Sequence, residues 1–421
     1  MGRITDEPIA GCNSGPPPMS GTLPTGRPRD LRLDFFRGLG MFIIFIAHVP
    51  NNAWNNWIPA RFGASDATEI FVFCSGMASA LAFGAVFRDR SALLGAARTA
   101  HRVWQVYWAH IGLFCIVVAM IAWFDTLVGS DFYTTRLYVR PFLEDPASHL
   151  IGLMTLRYVP NYFDILPMYL VLLAMMPIIA TLGLANRWLA FALMAGLWLV
   201  AQADYLSLSA EVRAGVEREW FFNPFGWQLV FFTGFAFMMG WIKAPPIKRS
   251  LVVLAVAILL LNVLFASRFG WENFDFVYQT RDLAMWTFEK TDFGLMRYVH
   301  FLALAYLAYV AAGEGGRRLA GAGAWGAFVR TVRRVGQQSL AVFLSSMVLA
   351  QIVGALLDVT GRTPLTIAFF NLAGFATLVV VATTVAWFKH QPWRRPHQPA
   401  AGAAKVERAS GVERLTLEPA R

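Results

Sequence analysis

Charge is what this chain most lacks. Lys, Arg, Asp and Glu make up 15% of its 421 residues while hydrophobic residues make up 57%; an ordinary soluble domain is about 25% charged. That balance excludes a soluble globular fold and points to an integral membrane protein. Cysteine is almost absent as well. Cys12, Cys74 and Cys115 are odd in number and have no metal-ligand spacing, which speaks against a disulfide framework or a metal site. No apolar core follows a basic start, so the first residues do not read as a signal peptide. Residues 1–29 are rich in Gly, Pro, Ser and Thr, and residues 389–421 are polar and rich in Ala and Gly. Both are expected to be disordered tails.

Between the tails the apolar runs predict an all-α, polytopic membrane domain over residues 30–388. Ten spans are expected: about 35–50, 69–87, 103–124, 162–183, 187–203, 225–242, 250–267, 296–312, 338–357 and 365–388. The charges are consistent with that count. If both termini are cytoplasmic and the loops alternate, 25 of the 36 Lys and Arg residues fall inside, with 9 of the 26 acids. The inner segments then carry +16 and the outer ones −6, a bias that follows the positive-inside rule. The net charge of +10 is therefore a membrane topology signal, and no nucleic-acid partner is expected. The partner it implies is a lipid bilayer.

The first span holds the most informative pattern. Arg37 and His48 bracket nine consecutive apolar residues, Leu39 to Ala47 counting glycine. Eleven positions at about 100° each bring the two ionisable groups to one helix face, about 16 Å apart along the axis. Ionisable groups inside a span are expensive and usually face a cavity or a partner. A snorkelling arginine and a histidine bonded between helices would also give this pattern.

Other polar groups gather around the two ends of that stripe. On the outer side, Ser65-Asp66-Ala67-Thr68-Glu69 opens the second span, with Asp66 and Glu69 on one face. Either carboxylate could orient His48, although Ser65 as a cap and acids in a first turn would suffice to explain them. Glu69 fits that simpler explanation less well, because unbroken apolar residues follow it. Asp164, in Asn161-Tyr162-Phe163-Asp164-Ile165-Leu166-Pro167, needs a partner at its depth, and His48 or Arg157 could supply one. Arg297 and His300 lie three apart at the outer end of the eighth span. On the inner side, Arg98 and Arg102 present two guanidinium groups on one helix face. With Arg37 they suit phosphates, or equally lipid headgroups. Gln338 and Ser339 begin the ninth span and suit either a cavity or interhelical hydrogen bonds.

Taken together these blocks resemble a known family. Arg37, ten residues and His48 resemble the first-helix motif of the membrane acyltransferase-3 superfamily. Asp34-Phe35-Phe36-Arg37-Gly38, Ser65 to Gly76, Asn161 to Tyr169 and Gln337 to Phe343 resemble the OpgC family, whose members are associated with succinylating osmoregulated periplasmic glucans. The resemblance runs from about residue 30 to 388. It implies an acyltransferase-3-like bundle in a bacterial inner membrane, an acyl-CoA such as succinyl-CoA as cytoplasmic co-substrate, and a periplasmic glucan as acceptor. No permanently bound cofactor or metal is expected. By position, His48 becomes the catalytic base, and Arg37, Arg98 and Arg102 bind the donor. From location alone, Glu69 and Asp164 are expected to assist catalysis, and Asp66, Arg297 and His300 to bind substrate. Arg297 or Arg61 could hold a succinyl carboxylate. A transporter or flippase for an anionic or acylated glycan is the rival, since ionisable residues along a path fit transport as well. Against it, the chain shows no internal repeat.

Overall fold

The computed structural model describes residues 30–213, 216–266 and 268–393. Eleven helices carry the fold: α1 (Leu31–His48), α2 (Ala67–Asp89), α3 (Ala92–Val128), α4 (Ile165–Ala185), α5 (Arg187–Gln202), α6 (Pro224–Met239), α7 (Arg249–Ala266), α8 (Leu295–Ala312), α9 (Gly323–Gln337), α10 (Ser339–Thr360) and α11 (Pro364–His390). Each of the ten expected spans falls on one of them; α9 is additional. Seven are long and apolar enough to cross a membrane, namely α2, α3, α4, α7, α8, α10 and α11. Helix α1 carries Arg32, Asp34 and Arg37, and α5 and α6 have only 16 residues each. The tails expected to be disordered lie, apart from residues 389–393, outside the described residues.

Local chemistry explains the helix ends. Asp66 caps α2, with its carboxylate accepting from the Thr68 amide at 2.7 Å, while Glu69 accepts from the Asp66 amide at 2.7 Å. This reciprocal capping box satisfies two amides that a helix start leaves without partners. Ser91 caps α3, accepting from the Leu94 amide at 3.1 Å, and Gly129 ends it in the left-handed conformation. At about 1.5 Å per residue the 37-residue α3 extends about 55 Å, well beyond a hydrocarbon core of about 30 Å. Helix α9 is short and amphipathic. Val329, Val332 and Val335 are buried while Arg330 and Arg334 are exposed.

Hydrogen bonds sort the loops into two ends. At one end, Trp198 donates to the Phe293 carbonyl, Gln202 to that of Asp292, Asn223 to the Asp292 carboxylate, and Arg362 to the carbonyl of Pro50. At the other, Arg187 donates to the Trp241 carbonyl and Lys389 to the Gln338 side chain. This alternation puts the His48 end of α1 beside the starts of α2, α4 and α8.

Two glycine contacts bring helices closer than larger residues would allow. A Cβ on Gly76 of α2 would overlap the Phe231 carbonyl of α6, and one on Gly234 would overlap the Phe73 carbonyl. Helices α1 and α9 do the same, Gly38 against Val332 and Gly336 against Asp34. Small residues that let backbones touch are the usual basis of packing between membrane helices. Gly76→Val should therefore lower stability by about 1–3 kcal/mol or prevent folding. Gly196→Ala, which meets nothing within 4 Å, should be neutral. Thermal melts of the two variants in detergent make the comparison.

The two long loops are not irregular. Residues 125–160 contain short helices at Phe132–Arg136, Arg140–Glu144 and Pro146–Met154, and residues 268–295 contain Arg268–Asn273, Asp275–Leu283 and Met285–Phe288. Between α5 and α6 lies an antiparallel hairpin, β1 (Ser209–Arg213) and β2 (Val216–Glu219), that no periodicity in the sequence announced.

Candidate active site

His48 is the last residue of α1, where carbonyls run out of helical partners. Its Nδ1 lies 2.7 Å from the Ile44 carbonyl oxygen. A carbonyl can only accept, so Nδ1 carries a proton, and whenever the ring is neutral its lone pair is on Nε2. The orienting hydrogen bond therefore comes from the histidine's own helix. The expectation that Glu69 or Asp164 holds the imidazole is corrected here, because both carboxylates are engaged with arginines.

His48 lines a cavity of about 410 Å³, within the size range of small-ligand sites. Ile44, Phe71 and Phe343 form its buried apolar wall, with the two phenylalanine rings stacked at 5.7 Å. Asn55, Arg61, Asp66, Tyr162, Asp164, Arg218, Phe221 and Lys290 supply the more polar wall. The Tyr162 ring sits 5.3 Å from that of His48.

Behind Asp66 runs a chain of charges. Lys290 Nζ donates to Asp66 Oδ2 at 2.6 Å, and Arg297 lies 3.6 Å from the same oxygen. Arg297 also pairs with the fully buried Glu69, its Nε donating to Oε1 at 2.9 Å. Burial pushes the Asp66 carboxyl upward, but Lys290 and Arg297 outweigh it and hold the group well below the usual carboxylate range. One residue earlier, buried Ser65 is held by His300: the Ser65 amide donates to Nδ1 at 3.2 Å, with the hydroxyl 2.7 Å from the same nitrogen. Of the three expected substrate-binding residues, only Asp66 reaches the cavity. Arg297 and His300 stand behind it, Arg297 paired with Asp66 and Glu69 and His300 with Ser65. Glu69 likewise is explained by the capping box and by Arg297, and it does not line the cavity.

Asp164 precedes α4 and does line the cavity. Its ion partner is Arg218 of β2 at 3.5 Å, and Arg218 also donates to the Val159 carbonyl at 2.5 Å. Burial raises the Asp164 carboxyl to about 6, with Arg218 working against the rise. The expected partners were His48 and Arg157; the hairpin that carries Arg218 was not foreseen.

At the other end, the expected cluster of three arginines separates. Arg37 is buried, and its Nη2 donates to the Cys74 carbonyl of α2 at 2.9 Å. One turn earlier, buried Asp34 accepts from Gln337 Nε2 at 3.0 Å. A guanidinium inside an apolar bundle is stable only with acceptors around it, and the Cys74 carbonyl is one such acceptor for the buried Arg37. Arg98 lies over the Phe83 ring at 5.6 Å, and Arg102 Nη1 donates to Gln105 at 3.1 Å. Cys74 and Phe83 are nine residues apart, about 13 Å along α2, so Arg37 sits at a different level from Arg98.

Comparison with known families matches residues 29–390 to the one described as OpgC protein. The chain belongs to the OpgC family. Membership gives it a role in modifying osmoregulated periplasmic glucans and makes it a membrane transferase acting on glucans. No curated protein and no solved structure matches it. For an OpgC-family transferase, the cavity beside His48 brings together an oriented imidazole, aromatic rings and cations. Of its lining residues, Lys290, Arg218, Asn55 and Phe221 carry no expectation from the sequence, and Tyr162 stands there only as part of the Asn161 to Tyr169 block. Lys290 is the single lysine of the 268–295 loop, a visible signal; Arg218 has none.

Proposed function

We propose that the protein is an O-acyltransferase of the inner membrane, with both termini cytoplasmic, that moves a succinyl group from succinyl-CoA to a hydroxyl of a periplasmic glucan. The observation that carries the reading is the 2.7 Å contact between His48 Nδ1 and the Ile44 carbonyl, which leaves Nε2 for chemistry. With Nδ1–H donated to Ile44, Nε2 is the nitrogen free to act as a base in the cavity. The glucan hydroxyl oxygen attacks the thioester carbonyl while Nε2 takes its proton. The tetrahedral intermediate collapses by breaking the C–S bond, and the imidazolium returns the proton to the CoA thiolate. Ester and free CoA result, and His48 is regenerated. General-base assistance of this kind is worth about 10²–10⁴ in rate.

Asp164 and Lys290 flank the reacting groups, and Lys290, Arg61 and Arg218 are the cavity cations available to a succinyl carboxylate. Glu69 and Arg297 act from behind, fixing the start of α2. On the donor side, Arg98 and Arg102 receive the CoA phosphates through charge-assisted hydrogen bonds, and Arg37 ties α1 to α2 between them and the cavity.

That assignment has its own test. Arg98→Ala and Arg102→Ala should each weaken CoA binding by about tenfold, a change of about 1.4 kcal/mol, and flatten its dependence on salt. Isothermal titration over a salt series measures both. Unchanged affinity in both variants returns these arginines to a role at lipid headgroups.

A further inference from the structure

Tyr162 is the only described cavity residue with a left-handed backbone. The chain turns over residues 160–163, the Phe163 amide donating to the Pro160 carbonyl at 3.1 Å, and Tyr162 occupies the third position with φ 71°. A turn with positive φ there favours glycine or asparagine, and a bulky side chain is strained. Packing does not explain the choice. Tyr162 is 37% exposed, whereas its successors Phe163 and Asp164 are buried and anchor the segment by themselves. What the strained residue achieves is placement: its ring lies beside the His48 ring, tilted by 57°, at the cavity wall. Strain retained at such a position belongs to function more often than to folding.

We propose that Tyr162 positions the acceptor sugar. Its ring receives the C–H face of a pyranose, an apolar surface suited to an aromatic platform, and so turns a hydroxyl toward Nε2 of His48. Phe221, 43% exposed, offers a second ring to the same cavity, and Asn55 and Lys290 offer groups to the remaining hydroxyls. This inference rests on the acyltransferase reading and names the residue that selects a saccharide acceptor.

The test is direct binding of purified periplasmic glucan to the protein in nanodiscs without donor, followed by steady-state kinetics with succinyl-CoA. Tyr162→Phe should bind within about twofold of wild type, and Tyr162→Leu about tenfold more weakly. In turnover, the same factor should appear in the glucan KM of the leucine variant, with the succinyl-CoA KM unchanged. Tyr162→Gly supplies the control for folding. It adopts the turn without strain, should melt no lower than wild type, and should lose binding like the leucine variant. Wild-type affinity in Tyr162→Leu and Tyr162→Gly overturns the proposal, as does a loss in Tyr162→Phe equal to that in leucine, which would assign the role to the hydroxyl. Absence of glucan binding by the wild type itself would instead overturn the acceptor assignment beneath it.

Discussion

His48→Ala is expected to lower turnover by about 10²–10⁴-fold while leaving the fold and the affinity for acyl-CoA close to wild type. His48 occupies the end of α1 and lines the cavity. Its loss forfeits one hydrogen bond to the Ile44 carbonyl. Stability should therefore change by about 1 kcal/mol, small beside the kinetic effect. His48→Gln sharpens the comparison, because an amide can still donate to Ile44 yet cannot take a proton. It should restore stability and not turnover. Single-turnover transfer and thermal melts on the same preparations separate the two effects. A glutamine variant that turns over like wild type would remove the general base from the mechanism.

The second large effect concerns stability. Arg297→Leu leaves the carboxylate of Glu69 fully buried without its cation, and the pair spans α2 and α8. Removing one partner of a buried ion pair costs about 3–5 kcal/mol, so the variant should melt far below wild type or fail to accumulate. Glu69→Gln alone should be milder, since an amide oxygen can still accept from the Asp66 amide and complete the capping box. The double variant Arg297→Leu, Glu69→Gln should recover much of the loss. Full recovery is not expected, because Arg297 also supports Asp66 at 3.6 Å. Melting temperatures of the three variants decide the matter. If Arg297→Leu melts like wild type, the charge chain does not hold the start of α2.

These two residues illustrate what could be read from the sequence. The membrane helices follow from apolar length, and His48 stands out because an imidazole at the end of an apolar stripe is costly and rare. The pairing of Glu69 was not legible: its partner lies 228 positions away, and nothing local marks Arg297 as the cation for a buried acid. Capping boxes are readable in principle, and Asp66 with Glu69 three residues later was such a signature. Arg37 was assigned to a phosphate because the charge count placed it near one face, whereas its depth depends on how α1 sits against Cys74 of α2. Tyr162 lies within the Asn161 to Tyr169 block, but its backbone conformation is not legible there, since a positive φ leaves no trace when the residue is not glycine. Helix existence depends on local composition and span; site geometry depends on which helix ends meet, and that is a property of the packed bundle.

The central claim is best tested by free CoA release from purified protein in nanodiscs, supplied with succinyl-CoA, periplasmic glucan, both or neither. The reading predicts rapid release only when donor and glucan are both present, with the released CoA matched by succinyl esters on the glucan and the signal lost in His48→Gln. Equal release with and without glucan, or none with both, would contradict it.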